Sequence, residues 1–520
     1  MRDNESLDPA DWSDLRALGH RMMDDMFDHL ANLREGPVWR PMPDASRQQL
    51  RRALPREPTP AGSVYQQFQR LVQPYATGNL HPRFMGWVHG GGNPVGMLAE
   101  LLAGGLNANL GGRDHAPIEI ERQVIAWSAE MLGFPASASG VLVTGTSIAN
   151  LIGVLVARSA SLGPSVRHRG VADAGLVAYT SAAAHGCLPR AMEMAGLGRE
   201  ALRMIPCDDQ GRMRRDALAR RVAEDRAKGM SPFLLVGTAG TVDIGAIDDL
   251  DALADFAAEQ SLWFHVDGAF GAIAALAPKL RPLLAGIERA DSVAFDFHKW
   301  AQVPYDAGCI LVRDGSRQLE TFGAEAAYLR REQRGLAGGG VWPCDLGPDL
   351  SRGFRALKVW MTLSVYGADR IGSIAQQTCD LAAAMAAMID REPALRRLAP
   401  VALNIVCFRY IAAEGDLDRL NADIVADLQE SGIAAPSTTI VDGALAIRAA
   451  IVNHRTNHAD LTITIDAILR AGHARATAAK KMPPAIHRGQ GYREASRLGD
   501  AGTKGPFPAT SAETLAAVLP

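Results

Sequence analysis

The sequence predicts an α/β protein with a mostly parallel central sheet, followed by a smaller α+β domain. From residue 140 to residue 312, helical stretches alternate with short apolar runs, namely GVLVT, GLVAYT, PFLLVGT, LWFHVD, DSVAFDF and GCILV. Apolar strands spaced roughly ten to thirty residues apart need crossover helices, and such connections build a parallel sheet. After Gly353 a long helical pattern runs from Phe354 to Tyr366 and past Gly372, and the strand-like runs VALNIVCFRYI and GALAIRAAIV follow. This change of pattern predicts the second, smaller domain.

Four segments follow from these patterns. They are an N-terminal helix with an extended dimerisation arm (1–80), a large domain (81–353), a small C-terminal domain (354–479) and an irregular tail (480–520). Apolar residues at helical spacing within residues 11–34 predict the first helix, and Ser13 can cap it. Prolines between Pro37 and Pro60 interrupt every helical or strand period, so this stretch is predicted to extend over a surface or a partner subunit. A plain linker also fits these prolines.

Composition and charge narrow the class of protein. The chain has 520 residues, of which 48% are apolar, and 54 Lys and Arg oppose 57 Asp and Glu for a formal charge of −3. Because there is no basic excess, nucleic acid is not an expected partner. The six cysteines never come closer than twenty residues, so neither a zinc ribbon nor a thioredoxin-type pair is predicted and a reducing compartment is expected. His454 and His458 are spaced i, i+4 but have no evident third ligand, so no metal site is predicted. The acidic first thirty residues predict no signal peptide, and no run reaches the roughly 18 apolar residues of a membrane span. We therefore expect a cytoplasmic enzyme.

The first candidate for chemistry is Lys299, in the run DSVAFDFHKW at residues 291–300. The lysine follows an apolar strand, and partial burial is expected to lower its pKa from about 10.4. A neutral amine in this position can form a Schiff base with a carbonyl compound. Taken alone, the motif also fits a surface lysine just beyond a strand end.

A carboxylate ends another predicted strand, in FHVDGAFGA at residues 264–272. Asp267 has no sequence neighbour of opposite charge, so it needs a cation, and the protonated ring nitrogen of pyridoxal phosphate is one. The small side chain of Ala269 would let such a ring lie flat against the backbone. A helix cap or an ordinary ion pair would also explain an aspartate at a strand end.

A strand, a tight turn and a helix are predicted in VLVTGTSIANL at residues 141–151. Gly145, Thr146 and Ser147 stand at the helix N-terminus, where backbone N–H groups, hydroxyls and the helix dipole attract a phosphate. A nucleotide phosphate would suit this turn as well, although the spacing matches neither a Walker loop nor G-x-G-x-x-G. In AYTSAAAHGCLPRA, His185 follows a strand among small residues, where it can stack on a cofactor ring or serve a structural role.

Together these residues resemble the group II pyridoxal-phosphate-dependent amino-acid decarboxylases, which include aromatic amino-acid, histidine, glutamate and cysteine-sulfinate decarboxylases. The resemblance runs in order from residue 10 to residue 470. Its motifs are GHRMMDDMFDHLANLREGPVWRPMP, HPRFMGW, GTSIANL, the block around His185, TAGTVDIGAIDDL, HVDGAFG, DFHKW and FRALKVWMTLSVYG.

The resemblance implies an aspartate-aminotransferase fold (fold type I), a homodimer whose N-terminal arm packs across the partner, and pyridoxal 5'-phosphate as cofactor. Lys299 would hold the cofactor as an aldimine, Asp267 would pair with the ring nitrogen, and His185 and Ala269 would flank the ring. Thr241 would lie beside the cofactor. The residues implied around the phosphate are Gly145, Thr146, Ser147, Asp296 and His298.

The activity implied is decarboxylation of an L-amino acid to an amine and CO2 through a quinonoid intermediate. Family decarboxylases carry a loop tyrosine that protonates Cα, but the segment 329–353 contains none and offers only Trp342 near that position. His185, a partner residue, a lysine or water would then deliver the proton. Alternatively, the product is an aldehyde formed by oxidative deamination. An aminotransferase and a non-catalytic relative are the further alternatives.

The substrate pocket also departs from the aromatic branch. The segment NANLGGRDHAP at residues 107–117 looks more like the glutamate branch. His89, Arg113 and His115 can recognise a polar or anionic side chain, and Trp342 is the fourth residue assigned to the substrate. Arg113 can equally form a surface ion pair, so the amino acid is left open.

Overall fold

The computed structural model describes residues 6–171, 174–323 and 332–481. The described α-helices are α1 (Ser13–Ala31), α2 (Asp44–Leu50), α3 (Ala61–Leu71), α4 (Pro94–Leu106), α5 (Ala116–Leu132), α6 (Thr146–Leu162), α7 (Val166–Arg169), α8 (Cys187–Met194), α9 (Arg215–Ala227), α10 (Leu250–Gln260), α11 (Gly315–Phe322), α12 (Arg355–Tyr366), α13 (Ala368–Arg391), α14 (Leu417–Glu430) and α15 (His458–Lys481). The described strands are β1 (Phe84–Met85), β2 (Ser139–Val143), β3 (Leu176–Ser181), β4 (Leu202–Ile205), β5 (Ser231–Thr238), β6 (Trp263–Asp267), β7 (Ser292–Asp296), β8 (Gly308–Val312), β9 (Leu395–Arg397), β10 (Ile405–Tyr410), β11 (Ala435–Val441) and β12 (Ala444–Ala450).

A seven-stranded sheet forms the centre of the molecule, in the order β2-β8-β7-β6-β5-β3-β4. β8 runs antiparallel to β7 and β2, and the other pairings are parallel. The six strands predicted from apolar runs are confirmed as β2, β3, β5, β6, β7 and β8. The sequence missed β4, an edge strand in which Arg203 interrupts the apolar pattern.

The smaller C-terminal domain contains a five-stranded sheet in the order β1-β11-β12-β10-β9. Its core lies between this sheet and helices α13, α14 and α15, and includes Met385, Phe408, Ile424, Ile447 and Ile468. The α/β class with a mostly parallel sheet and a smaller C-terminal domain is therefore confirmed. By their contacts, the described residues up to Thr477 form one compact unit.

Three local predictions need correction. Ser13 does not cap α1 but is its first residue, and its hydroxyl donates to Asp11 Oδ2 at 2.8 Å. The proline-rich stretch is not extended throughout, because α2 lies within it. The long helix predicted from Phe354 is broken at Gly367, whose φ of 76° ends α12 in the left-handed region that glycine adopts without strain.

The predicted tail lies outside the described residues from residue 482 onward, and α15 ends at Lys481. None of the described helices combines the length and apolar content that a membrane crossing requires.

Candidate active site

The predicted cofactor residues meet at one edge of the seven-stranded sheet. Gly145 follows β2, His185 follows β3, Thr241 follows β5, Asp267 ends β6 and Asp296 ends β7. These strands run in the same direction, so their carboxyl ends lie together, and in open α/β sheets ligands bind in the crevice outside these ends. The sheet topology therefore brings together side chains that are distant in the sequence.

Lys299 follows β7 and forms an ion pair with Asp296, with 2.9 Å between Nζ and Oδ2. Burial alone would lower the pKa of Lys299, but the charge of Asp296, its hydrogen bond and the charge of Asp267 outweigh burial and raise that pKa. The expectation of a lowered lysine pKa is therefore wrong for this form of the protein. The pKa is raised because the carboxylate of Asp296, predicted to lie near the phosphate, contacts the amine instead.

Asp267 is buried behind this ion pair, with 3% of its surface exposed. One oxygen accepts hydrogen bonds from Asn150 Nδ2 at 3.1 Å and, at 4.0 Å, weakly from the Cys187 thiol, and the other accepts from Ala269 N at 3.1 Å. Burial raises the pKa of Asp267, while the positive charge of Lys299 acts in the opposite direction. A buried carboxylate is stabilised in its charged form by a nearby cation, so Asp267 suits a protonated ring nitrogen.

The N-terminus of α6 carries the predicted phosphate residues. Thr146 N donates to Asp296 Oδ1 at 2.7 Å, and the buried Thr146 hydroxyl has no hydrogen-bond partner among the described residues. A buried orphan hydroxyl at a helix N-terminus fits a phosphate oxygen. Gly308 packs against Gly145 backbone to backbone, since a Cβ on Gly308 would stand 2.5 Å from Gly145 Cα. Ser147 is exposed in the same turn.

His298 lies beside this turn. Its Nδ1 accepts a hydrogen bond from Ala307 N at 3.1 Å, and its Nε2 lies 3.7 Å from Asp296 Oδ2. Burial lowers the pKa of His298, although the charge of Asp296 opposes this effect. A neutral imidazole with Nε2 protonated can donate to a phosphate oxygen without adding charge.

His185, Thr241 and Ala269 complete the predicted set. His185 is exposed and accepts from Cys187 N through Nδ1 at 3.2 Å. Thr241 is buried, and its hydroxyl accepts from Ala246 N at 3.0 Å. Ala269 is half-buried directly after β6. The roles assigned to these three residues remain predictions.

Of the predicted substrate residues, His89 lies near the lysine. Its ring stacks on Phe84 and Trp87 and meets Tyr305 edge-on, with 6.0 Å between ring centroids. Burial and the charge of Lys299 lower the pKa of His89. The Tyr305 ring also lies 4.3 Å from the His298 ring.

Arg113 and Trp342, two further residues predicted to bind the substrate, contact each other. The Arg113 guanidinium lies 4.6 Å above the indole, whose N–H donates to Gly338 O at 2.8 Å. Trp342 is buried, whereas His115 is half-buried and its Nε2 lies 3.2 Å from Asn109 O. Their assignment to the substrate remains a prediction. Residues 329–331 of the tyrosine-free segment lie outside the described residues.

Three residues at the site, Asn150, Cys187 and Tyr305, are not among those predicted from the sequence. Asn150 lies one helical turn after Thr146, and Cys187 lies two residues after His185, so their spacing places them near the site. Nothing in the sequence pattern distinguishes Tyr305, because its position depends on the loop between β7 and β8.

Comparisons with known proteins identify the family of this chain. The family model described as the pyridoxal-dependent decarboxylase conserved domain matches residues 43–411. The aromatic-L-amino-acid decarboxylase of Bacillus atrophaeus is 33% identical over 452 residues, which cover 85% of this chain and 92% of that protein. The phenylacetaldehyde synthase of Arabidopsis thaliana is 27% identical over 465 residues, 86% of this chain and 93% of that protein.

A solved structure shows the same fold. The crystal structure of Oryza sativa TDC with PLP and tryptamine matches with a TM-score of 0.83 and 24% identity, covering 91% of this chain and 100% of that one. The fold-type-I architecture is thus confirmed. The family model and the Bacillus relative extend the match to the sequence, and the chain belongs to the family of pyridoxal-dependent decarboxylases, with pyridoxal phosphate as its cofactor.

Proposed function

We propose that this protein decarboxylates an L-amino acid to an amine and CO2, with Lys299 as the residue that binds the cofactor. The observation that carries the proposal is the pairing of Lys299 with Asp296, beside the buried carboxylate of Asp267. Bound pyridoxal phosphate supplies an electron sink for the bond broken at Cα.

Each residue then has a defined task. Lys299 presents its amine to the cofactor aldehyde once its proton has left, and Asp296 holds that amine in place. Asp267 keeps a proton on the ring nitrogen, an interaction that strengthens as negative charge enters the ring and so favours the transition state. Thr146 and His298 donate hydrogen bonds to the phosphate.

The amine product is supported by a phenol at the site. The Tyr305 side chain is 47% exposed, and partial burial and the charge of Asp296 raise its pKa to about 12. The phenol therefore holds a proton at neutral pH that it can deliver to Cα, as a weaker acid than free tyrosine. The second candidate is aldehyde formation, supported by the tyrosine-free segment 329–353 and by the phenylacetaldehyde synthase among the relatives.

A homodimer is part of the proposal. Its support is a set of exposed apolar side chains on α3 and α4, namely Val64, Phe68, Leu101, Leu102 and Leu106. Exposed apolar surface of this kind is typical of a protein–protein interface.

The test combines a spectrum with product analysis. Purified protein loaded with pyridoxal phosphate is expected to show a visible absorption band that Lys299→Ala abolishes and Lys279→Ala, at an exposed lysine, retains. A panel of acidic, aromatic and basic L-amino acids is then followed by CO2 release, oxygen uptake and product mass. CO2 with amine and no oxygen uptake supports the proposal, whereas aldehyde with oxygen uptake supports the second candidate. No CO2 from the fully loaded protein contradicts both.

A further inference from the structure

A chain of hydrogen bonds extends from Asp267 into the core. Asn150 donates to Asp267 through Nδ2, and its Oδ1 lies 2.8 Å from His265 Nε2. His265 Nδ1 lies 2.7 Å from Ser292 Oγ, and Trp263 Nε1 donates to the same hydroxyl at 2.8 Å. The chain thus joins α6, β6 and β7.

The chemistry of the two ends fixes the direction of every bond. An indole N–H can only donate and an ionised carboxylate can only accept. Because Asn150 gives its amide N–H to Asp267, its oxygen faces His265, so His265 must carry a proton on Nε2. His265 is completely buried, and burial lowers its pKa to about 3, which leaves the ring neutral and Nδ1 an acceptor. The hydroxyl of Ser292 must therefore donate to Nδ1 and accept from Trp263.

The packing leaves the imidazole little freedom to adopt another arrangement. Gly153 lies against it, and a Cβ at that position would stand 2.7 Å from His265 Cε1. Asn150 and Ser292 are both 0% exposed, so water does not compete for their polar atoms. If Asn150 turned its amide over, its oxygen would face the Asp267 carboxylate and its NH2 would face an N–H of His265. Both contacts would be repulsive, and buried donors would be left unpaired.

We propose that Trp263, Ser292, His265 and Asn150 form a one-way hydrogen-bond relay that holds Asp267 ionised and aimed at the cofactor ring. These four are positioning residues, since they act through Asp267. The inference rests on the proposed function, because it takes Asp267 as the partner of the ring nitrogen. Buried outer-shell partners of this kind commonly affect a site as strongly as some direct contacts do.

Ser292→Ala tests the relay most directly, since it removes the donor to His265 and leaves Asn150 and Asp267 in place. The relay stabilises the charged carboxylate, so its loss raises the pKa of Asp267. The other groups facing Asp267 are Lys299, His185 and Cys187, and the variant changes none of them. We expect the acidic limb of the kcat/KM profile and the low-pH transition of the cofactor band to move to higher pH. We also expect kcat to fall about tenfold with KM within about twofold.

Ser128→Ala is the matched control, because this serine is also buried but bonds to Val124 O within its own helix and to the Cys309 thiol, outside the relay. Trp263→Phe, at a half-buried position, is the second variant and should shift both profiles in the same direction by less. If Ser292→Ala does not fold, Trp263→Phe decides the question. Wild-type profiles in every folded relay variant would overturn the proposal, and so would an equal shift in Ser128→Ala.

A measurement on the cofactor-free full chain separates this inference from the proposed function. Nitrogen-15 NMR of labelled histidine, assigned by comparison with His265→Gln, should show His265 protonated on Nε2 alone. Protonation on Nδ1 would overturn the relay even in an active enzyme. If the Nε2 form is found but the loaded wild type releases no CO2, the proposed function fails and the relay direction stands.

Discussion

The Lys299 amine and the Asp296 carboxylate form an ion pair of 2.9 Å, in which one carboxylate oxygen contacts the amine while the other accepts from the backbone of Thr146. A single side chain therefore connects the nucleophile to the helix N-terminus that is proposed to bind the phosphate. This arrangement keeps the amine protonated in the cofactor-free protein. Asp296 is therefore expected to affect the rate at which Lys299 reacts with the cofactor.

Asp296→Asn is expected to accelerate cofactor capture near neutral pH. Asp296 raises the pKa of Lys299, so replacing the carboxylate with a neutral amide lowers that pKa. The fraction of Lys299 in the neutral, reactive form then rises, up to about tenfold for each pH unit by which the pKa falls. Stopped-flow absorbance of the cofactor-free protein between pH 6 and pH 9 should show faster capture and a midpoint at lower pH. Pyridoxal, which lacks the phosphate, is the control for a simple gain in phosphate attraction. Acceleration with pyridoxal phosphate alone would contradict the amine explanation.

Removal of Glu121 is expected to destabilise the fold strongly. Glu121 and Arg352 form a buried ion pair, with side chains 4% and 2% exposed, in which Arg352 also donates to Leu110 O and Leu142 O. Glu121→Ala leaves a buried guanidinium unpaired and should cost about 3–5 kcal/mol in the free energy of unfolding, measured with urea. Glu119→Ala, at an exposed carboxylate on the same helix, should cost less than about 1 kcal/mol. The double variant Glu121→Leu with Arg352→Met should recover much of the loss.

His265 is expected to make stability fall in acid. Its pKa is about 3 when folded and about 6.5 when unfolded, so the unfolded state binds more protons below pH 6.5. Stability from this group is fully present above pH 6.5 and is lost progressively down to about pH 3. Between pH 6.5 and pH 5 the loss should be about 2 kcal/mol. Urea unfolding of wild type and His265→Gln at both pH values checks this, and equal pH slopes for the two proteins would contradict it.

Tyr305→Phe is expected to change the product. If the phenol delivers the proton to Cα, its removal should lower the rate of amine formation at least about tenfold and raise the share of aldehyde. Product mass and oxygen uptake measure the two outcomes. Tyr410→Phe, in the core of the small domain, is the control and should leave the product unchanged. An unchanged amine rate in Tyr305→Phe would assign the proton to another group.

The charged residues at strand ends could be predicted from the sequence, but the contacts that their side chains make with one another could not. Asp267 and Lys299 could be found because an apolar run that stops at a charged residue marks a strand end, and parallel strands collect such ends at one edge. The raised pKa of Lys299 could not be predicted, since it depends on the turn that brings Asp296 back onto the amine.

Contacts between helices, strands and loops could not be predicted from the sequence either. The hydrogen bond from His265 to Asn150 depends on how closely α6 approaches the sheet. Gly153 permits that approach, because a Cβ there would collide with the imidazole. Likewise, the partner of Arg113 proved to be the Trp342 ring, across a loop whose path no periodicity determines. Break points such as Gly367 are visible as glycines, but the sequence alone does not say which glycine ends a helix.

The backbone contact between Gly308 and Gly145 has a consequence for engineering. Two backbone segments that touch without side chains cannot adjust by changing a rotamer, so a single carbon added to Gly308 would force them apart. A library aimed at a new amino-acid substrate should therefore keep residue 308 as glycine, whereas residue 145 has room for a Cβ, which would lie 3.5 Å from His298 Cε1.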